Sequence, residues 1–210
     1  MSAFVANYAR AFVAPRPAFE ALLADERRLA LGAAYVAVPA ALYTLMYVML
    51  TLGHGAPSSF APWLNIARED YYAANRFLAA PSMFMCWILA AGVVQILSHL
   101  VGGKGRFEDC LAVLGLSIAV AMWATLGHDL VMSFLGAIHV IDAQEHERAM
   151  NTPTVWRTLI WTLMIAYLAW FLVLFSKAVG AAHKLGRAPA IALGVTGFAV
   201  FQTVYFIFNR

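Results

Sequence analysis

The residues best suited to chemistry in this chain are His128 and Asp129, adjacent to each other inside an otherwise apolar run. An aspartate at the centre of a membrane helix costs about 2.5–3.5 kcal/mol on insertion scales, so this carboxylate is expected to face protein and to be paired. Consecutive helical residues diverge by about 100°, which points to a partner from another segment. Arg68, Arg76, Tyr71 and Tyr72 are the candidates, alongside His128 itself. We therefore group His128, Asp129, Asp70, Arg68 and Tyr72 as a candidate polar site for a proton or cation. More imidazoles and carboxylates follow at His139, Asp142, Glu145, His146 and Glu147, and His54 and Glu69 occupy another connection. These are ligand types for zinc or nickel, but no His-x3-His pair and no His-Glu-x2-His occurs. No metal or other cofactor is expected; the plain alternative is a polar interfacial loop with one hydrogen-bonded pair at His128-Asp129.

A second constellation is Gly102-Gly103-Lys104-Gly105-Arg106, between two long apolar runs. It lacks the Gly-x4-Gly-Lys-Ser/Thr spacing of a phosphate loop, and it follows an apolar helix where a phosphate loop follows a strand. A tight hinge is the better reading. Its glycines are expected to take positive φ, and its two cations to meet anionic lipid headgroups. Serines are scattered without a Gly-x-Ser-x-Gly elbow, so nucleophilic catalysis has no support and the chain does not read as an enzyme.

The elements that must position these residues are membrane helices. Of 210 residues, 63% are hydrophobic and only 12% charged, and mean hydropathy is +0.75, far from soluble averages. The apolar residues leave no room for a separate soluble domain, so residues 1–210 read as one all-α domain. A crossing needs about 20 mainly apolar residues, and five stretches qualify: about 29–52, 81–101, 110–134, 156–175 and 188–208. In the first, Ala33, Ala37 and Ala41 form a small-residue ridge suited to close helix approach, and Pro39 is a possible kink; Ala190, Gly194 and Gly197 lie along the fifth. Residues 54–62 read as a turn region, and Trp63 to Ala79 as an interfacial helix. Lys177 to Arg187 reads as a basic connection, with only Asn209 and Arg210 beyond the last crossing.

Ahead of the first crossing, Phe4, Val5, Tyr8 and Phe12 share one helical face, and Phe19, Leu22 and Leu23 restart the pattern after Pro15-Arg-Pro17. Two short amphipathic helices are expected, lying in the headgroup layer or packed on the ends of the crossings. No cleavable signal pattern precedes them. Cys86 and Cys110 are placed too differently to suggest a disulfide.

Five crossings put the termini on opposite faces. Arg10, Arg16, Arg27, Arg28, Lys104, Arg106, Lys177, Lys184 and Arg187 fall on the N-terminal face, against Arg68, Arg76, Arg148, Arg157 and Arg210 on the other. The positive-inside tendency then predicts a cytoplasmic N-terminus and an outside C-terminus. The net charge of +3 is explained by this asymmetry and gives no reason to expect nucleic acid.

The order of features resembles the Yip-one domain family. The likeness rests on Pro15 to Leu29 before the first crossing, on Tyr71-Tyr72 with Pro81, and above all on Leu100-Val-Gly-Gly-Lys-Gly-Arg-Phe107. The resemblance implies a five-helix membrane domain with a cytoplasmic N-terminus, in agreement with the charge count. The eukaryotic members are named for binding Ypt/Rab GTPases, but their long polar N-terminal region and Asp-Leu-Tyr-Gly-Pro motif are missing, so that role is not carried over. The chain looks like the short prokaryotic form, expected in a bacterial inner membrane.

Three classes of function follow. A membrane-organising or interaction protein, with a membrane-protein partner or a second copy, accounts for every feature. A small transporter or channel would need Gln95, Ser117, Thr125, His128, Asp129 and Gln202 to converge on one path. An intramembrane enzyme would have only His128-Asp129 to work with.

Overall fold

The computed structural model describes residues 3–55 and 63–209, with the side chain of Ala3 left out. The turn region read over 54–62 lies outside the described residues from 56 onward. Every regular element among the described residues is a helix: α1 (Ala3–Val13), α2 (Pro15–Leu23), α3 (Arg28–Leu52), α4 (Tyr71–Leu100), α5 (Phe107–Ala121), α6 (Trp123–Ala137), α7 (Ala143–Asn151), α8 (Val155–His183) and α9 (Arg187–Phe208). The helices α3, α4, α8 and α9 are each long and apolar enough to cross a membrane. The pair α5 and α6, bent by 49° at Met122, qualifies together as a fifth crossing. The protein is thus a multi-pass membrane bundle.

The bundle is built around α5. Every residue from Cys110 to Ala121 is buried, and α3, α4 and α8 all pack on it. Small residues make this possible, because membrane helices associate by close packing where no water is available to drive them together. A Cβ on Gly115 would stand 2.5 Å from the Gly32 carbonyl oxygen, and one on Gly32 would stand 2.6 Å from Ala112 Cα. The backbones of α3 and α5 therefore touch. The ridge expected at Ala33, Ala37 and Ala41 is not the packed face: Ala37 and Ala41 are exposed, while Gly32, Val36, Pro39, Ala40 and Tyr43 are buried. An offset of one residue rotates the face by about 100°. Pro39 lies inside a helix that continues past it. In α9, Ala190, Gly194 and Gly197 are all buried, and a Cβ on Gly194 would lie 2.6 Å from Ser176 Cα of α8.

Three boundaries differ from the expected ones. The segment before the second crossing is not a separate helix from Trp63 to Ala79: Tyr71 begins a single 30-residue helix that runs through Pro81. Residues 63 and 64 instead bond the end of α9, through Trp63 N–H to Phe206 O and Leu64 N–H to Ile207 O. Lys177 lies within α8, so the basic connection shrinks to 184–186. Asn209 is buried, accepting from Tyr47 Oη (3.2 Å) and donating to Ser82 Oγ (3.1 Å).

The amphipathic pair α1 and α2 docks on the bundle. Ala11, Ala18, Phe19 and Leu22 are buried; Phe4 stacks on Tyr35 with ring centroids 4.4 Å apart; and α2 packs against α8 and α5. Of the two placements open from sequence, packing on the crossings is the one observed. On the same face, Arg28 at the start of α3 pairs with Asp109 at the start of α5 (2.5 Å), and Asp109 also accepts from Arg106 N–H (3.2 Å).

The hinge sits on the end of α8. Of the three hinge glycines only Gly102 has positive φ (81°), so the left-handed geometry expected at Gly103 and Gly105 is not what selects glycine there. Close approach is: a Cβ on Gly103 would lie 2.9 Å from Ser98 O, and one on Gly105 would collide with the carbonyl oxygen of Ala182. Lys104 N–H donates to His183 O (3.2 Å), and Ser98 Oγ lies 3.1 Å from Nδ1 of the buried His183. Lys104 and Arg106 remain exposed.

Candidate functional site

On the opposite face, α7 folds back toward the ends of α6 and α8. Asp142 caps it by accepting from Gln144 N–H and Glu145 N–H (2.8 and 3.1 Å), satisfying donors that the first turn leaves free. This brings His146 against His128 of α6 and Trp156 of α8, with ring centroids 5.7 and 5.0 Å apart. Beneath them is a cavity of about 350 Å³, open to one side, whose walls include His128, Asp129, His146, Tyr71, Tyr72 and Tyr47.

Within it, His128 Nδ1 lies 3.0 Å from Asp129 Oδ1. The side chains are 11% and 33% exposed, respectively. Asp129 is therefore paired and turned to the cavity, as its insertion cost demands. Its observed partner is its neighbour in sequence, contrary to the expectation of one from another segment. The 100° between adjacent Cβ directions is bridged because both side chains can lean across the helix surface.

The cavity collects part of the predicted constellation. Tyr72, His128 and Asp129 meet at its walls, whereas Arg68 and Asp70 are exposed and do not line it. Arg76 lies over the Phe77 ring at 4.8 Å. Tyr47 and Trp156 entered through packing alone: Tyr47 meets Tyr71 and Tyr72 with ring centroids 6.1 and 6.0 Å apart. A run of aromatics at a helix end carries no signal that distinguishes a cavity wall from a core.

His128 Nε2 and His146 Nε2 are buried and bonded to no other protein atom among the described residues. Burial, then the neighbouring His128, hold the His146 imidazole below its ordinary value, with Asp129 pulling the other way. Such a set can accept or release a proton, or offer a carboxylate and imidazole to a small polar solute. Among the described residues, no three His, Cys, Asp or Glu side chains gather closely enough to hold a metal ion.

The other membrane polar groups do not line this cavity. Gln95 Nε2 donates to Gly105 O at the hinge (3.0 Å). Ser117 Oγ donates to Val113 O in its own helix (2.8 Å). Tyr167 Oη donates to Gln202 Oε1 (2.9 Å), and Thr125 lies beside Tyr43. Gln95 and Ser117 are thus in local pairs, whereas Tyr43 is near enough to interact with both Tyr167 and Asp129.

A family model described as the Yip1 domain matches residues 9–208, nearly the whole chain. No curated protein and no solved structure matches the chain.

Proposed function

The chain belongs to the Yip1 domain family, and on that footing we propose that it acts by lateral contact in the bilayer, organising or holding a membrane-protein partner or a second copy of itself. The observation that carries this reading is that Gln95 and Ser117 are engaged in local hydrogen bonds to backbone carbonyls away from the cavity. A conducting path needs such groups aligned along one wet route, and catalysis needs a constellation at one depth; neither arrangement is what these bonds describe. The setting we propose is the bacterial inner membrane, with α1, α2 and the hinge in the cytoplasm and the cavity outside. The cation excess on the hinge face supports that orientation.

A photo-crosslinking residue at Ile165, 64% exposed on α8, tests the contact reading in native membranes. One discrete protein adduct is expected, and labelling of lipid alone would contradict it. For orientation, Lys104→Cys is expected to resist an impermeant thiol reagent in intact cells while Gln144→Cys reacts; the reverse pattern inverts the topology.

A second reading is favoured by one observation, the cavity at His128, Asp129 and His146. It is a small transporter of an ion or solute, with Asp129 as the charged group.

A further inference from the structure

Beside the α2–α8 contact, a groove of about 990 Å³ lined by α2, α8 and α9 opens near the hinge face. Its lining carries Arg16, Lys177, Lys184 and Arg187, against a single acid, Glu20, with Lys184 and Arg187 at the mouth and Lys177 about 10 Å further along α8. Glu20 is already held by Arg16, with Nε to Oε1 at 3.0 Å. Lys177, Lys184 and Arg187 are exposed and make no ion pair with any acid among the described residues. The concentration of charge is thus not consumed within the protein.

Below the mouth the lining changes character. Val173 on α8 and Ile191 and Val195 on α9 are apolar and exposed. Val195 is eight residues beyond Arg187 in a continuous helix, about 12 Å deeper at 1.5 Å per residue. The floor is kept open by Gly180, Ala181 and Ala190, which carry little or no side chain.

We propose that this groove is a binding site for one anionic phospholipid, its phosphate among Lys177, Lys184 and Arg187 and an acyl chain along Val173, Ile191 and Val195. Two features on the page select this occupant. Lys184 and Arg187 sit at the end of two membrane crossings, where headgroup phosphates lie, Lys177 can extend its long side chain up to them from two turns deeper, and the apolar strip continues into the depth a fatty chain occupies. A soluble anion would use the first feature alone. The site is separate from the hinge cations Lys104 and Arg106, and it stands whether the protein works by contact or by transport.

The test is native mass spectrometry of the full chain extracted from membranes of mixed phosphatidylglycerol and phosphatidylcholine. Retained phosphatidylglycerol is expected. The combined change Lys177→Gln, Lys184→Gln, Arg187→Gln should weaken retention on the order of a hundredfold, since each cation near such a surface is worth roughly a factor of five. Val173→Trp, which fills the apolar strip and leaves the charge unchanged, should also reduce retention, and it keeps the proposal falsifiable if the triple variant does not fold. Undiminished retention in either folded variant would overturn the proposal. So would an equal loss on Lys104→Gln with Arg106→Gln, which would mean diffuse surface attraction. Glycerol phosphate or inorganic phosphate binding as tightly as the lipid would reassign the groove to a free anion and overturn it as well.

Discussion

The indole of Trp123 donates to the phenol oxygen of Tyr8 at 2.6 Å, and that phenol in turn donates to Ala119 O at 2.9 Å. Ala119 O is the carbonyl that an unbroken helix would offer to Trp123 N–H. The N-terminal helix thus occupies a backbone group at the break between α5 and α6. The break is therefore a tertiary feature, held by α1.

Tyr8→Phe is expected to leave Ala119 O and the Trp123 indole without this partner, destabilising the fold by about 1–3 kcal/mol. The change should concentrate at 119–123. Faster amide exchange there, with the rest of the bundle unaffected, is the expected outcome in detergent. Uniform exchange rates would remove Tyr8 from this role.

This contact also marks where sequence reading stops. The five crossings were legible because apolar length needs no partner to be recognised. The break at Met122 was not, because Ala119-Val-Ala-Met-Trp-Ala-Thr125 contains neither glycine nor proline, and its cause lies more than a hundred residues away. At the candidate site, Asp129 was legible from its cost in a membrane, and Tyr72 from its place at the boundary. The approach of His146 to His128 was not, since it depends on how α7 folds back. Arg28 and Asp109 show the same limit, because their pairing requires α3 and α5 to touch.

The hinge separates geometry from charge. Gly103→Val should reduce folded protein sharply, because its branched side chain would meet Ser98 O and the His183 side chain. Lys104→Gln, at an exposed position, should leave yield and thermal stability unchanged, while weakening attraction to anionic vesicles. Equal loss of folded protein from both would show that Lys104 is also structural.

Acidification should loosen the cavity through His146. Its pKa is lowered from 6.5 in the folded protein, chiefly by burial and then by His128. The unfolded chain therefore binds more protons as pH falls below about 6.5. This contribution to stability is complete above that pH and is lost on acidification through the window between the ordinary and lowered values. Thermal unfolding midpoints in detergent should fall over that window, and His146→Phe should flatten the slope. An unchanged slope in the variant would place the proton elsewhere.

The reading that the bundle works by contact and not by conduction is tested most directly by cation and proton flux in proteoliposomes made with the wild-type chain and with Asp129→Asn. The amide keeps hydrogen bonding and removes a costly charge, so both proteins should reconstitute as folded bundles. The account predicts no flux above protein-free liposomes for either. Flux carried by the wild type and abolished by Asp129→Asn, with folded protein equally abundant, would contradict it and establish transport through the His128–Asp129 cavity.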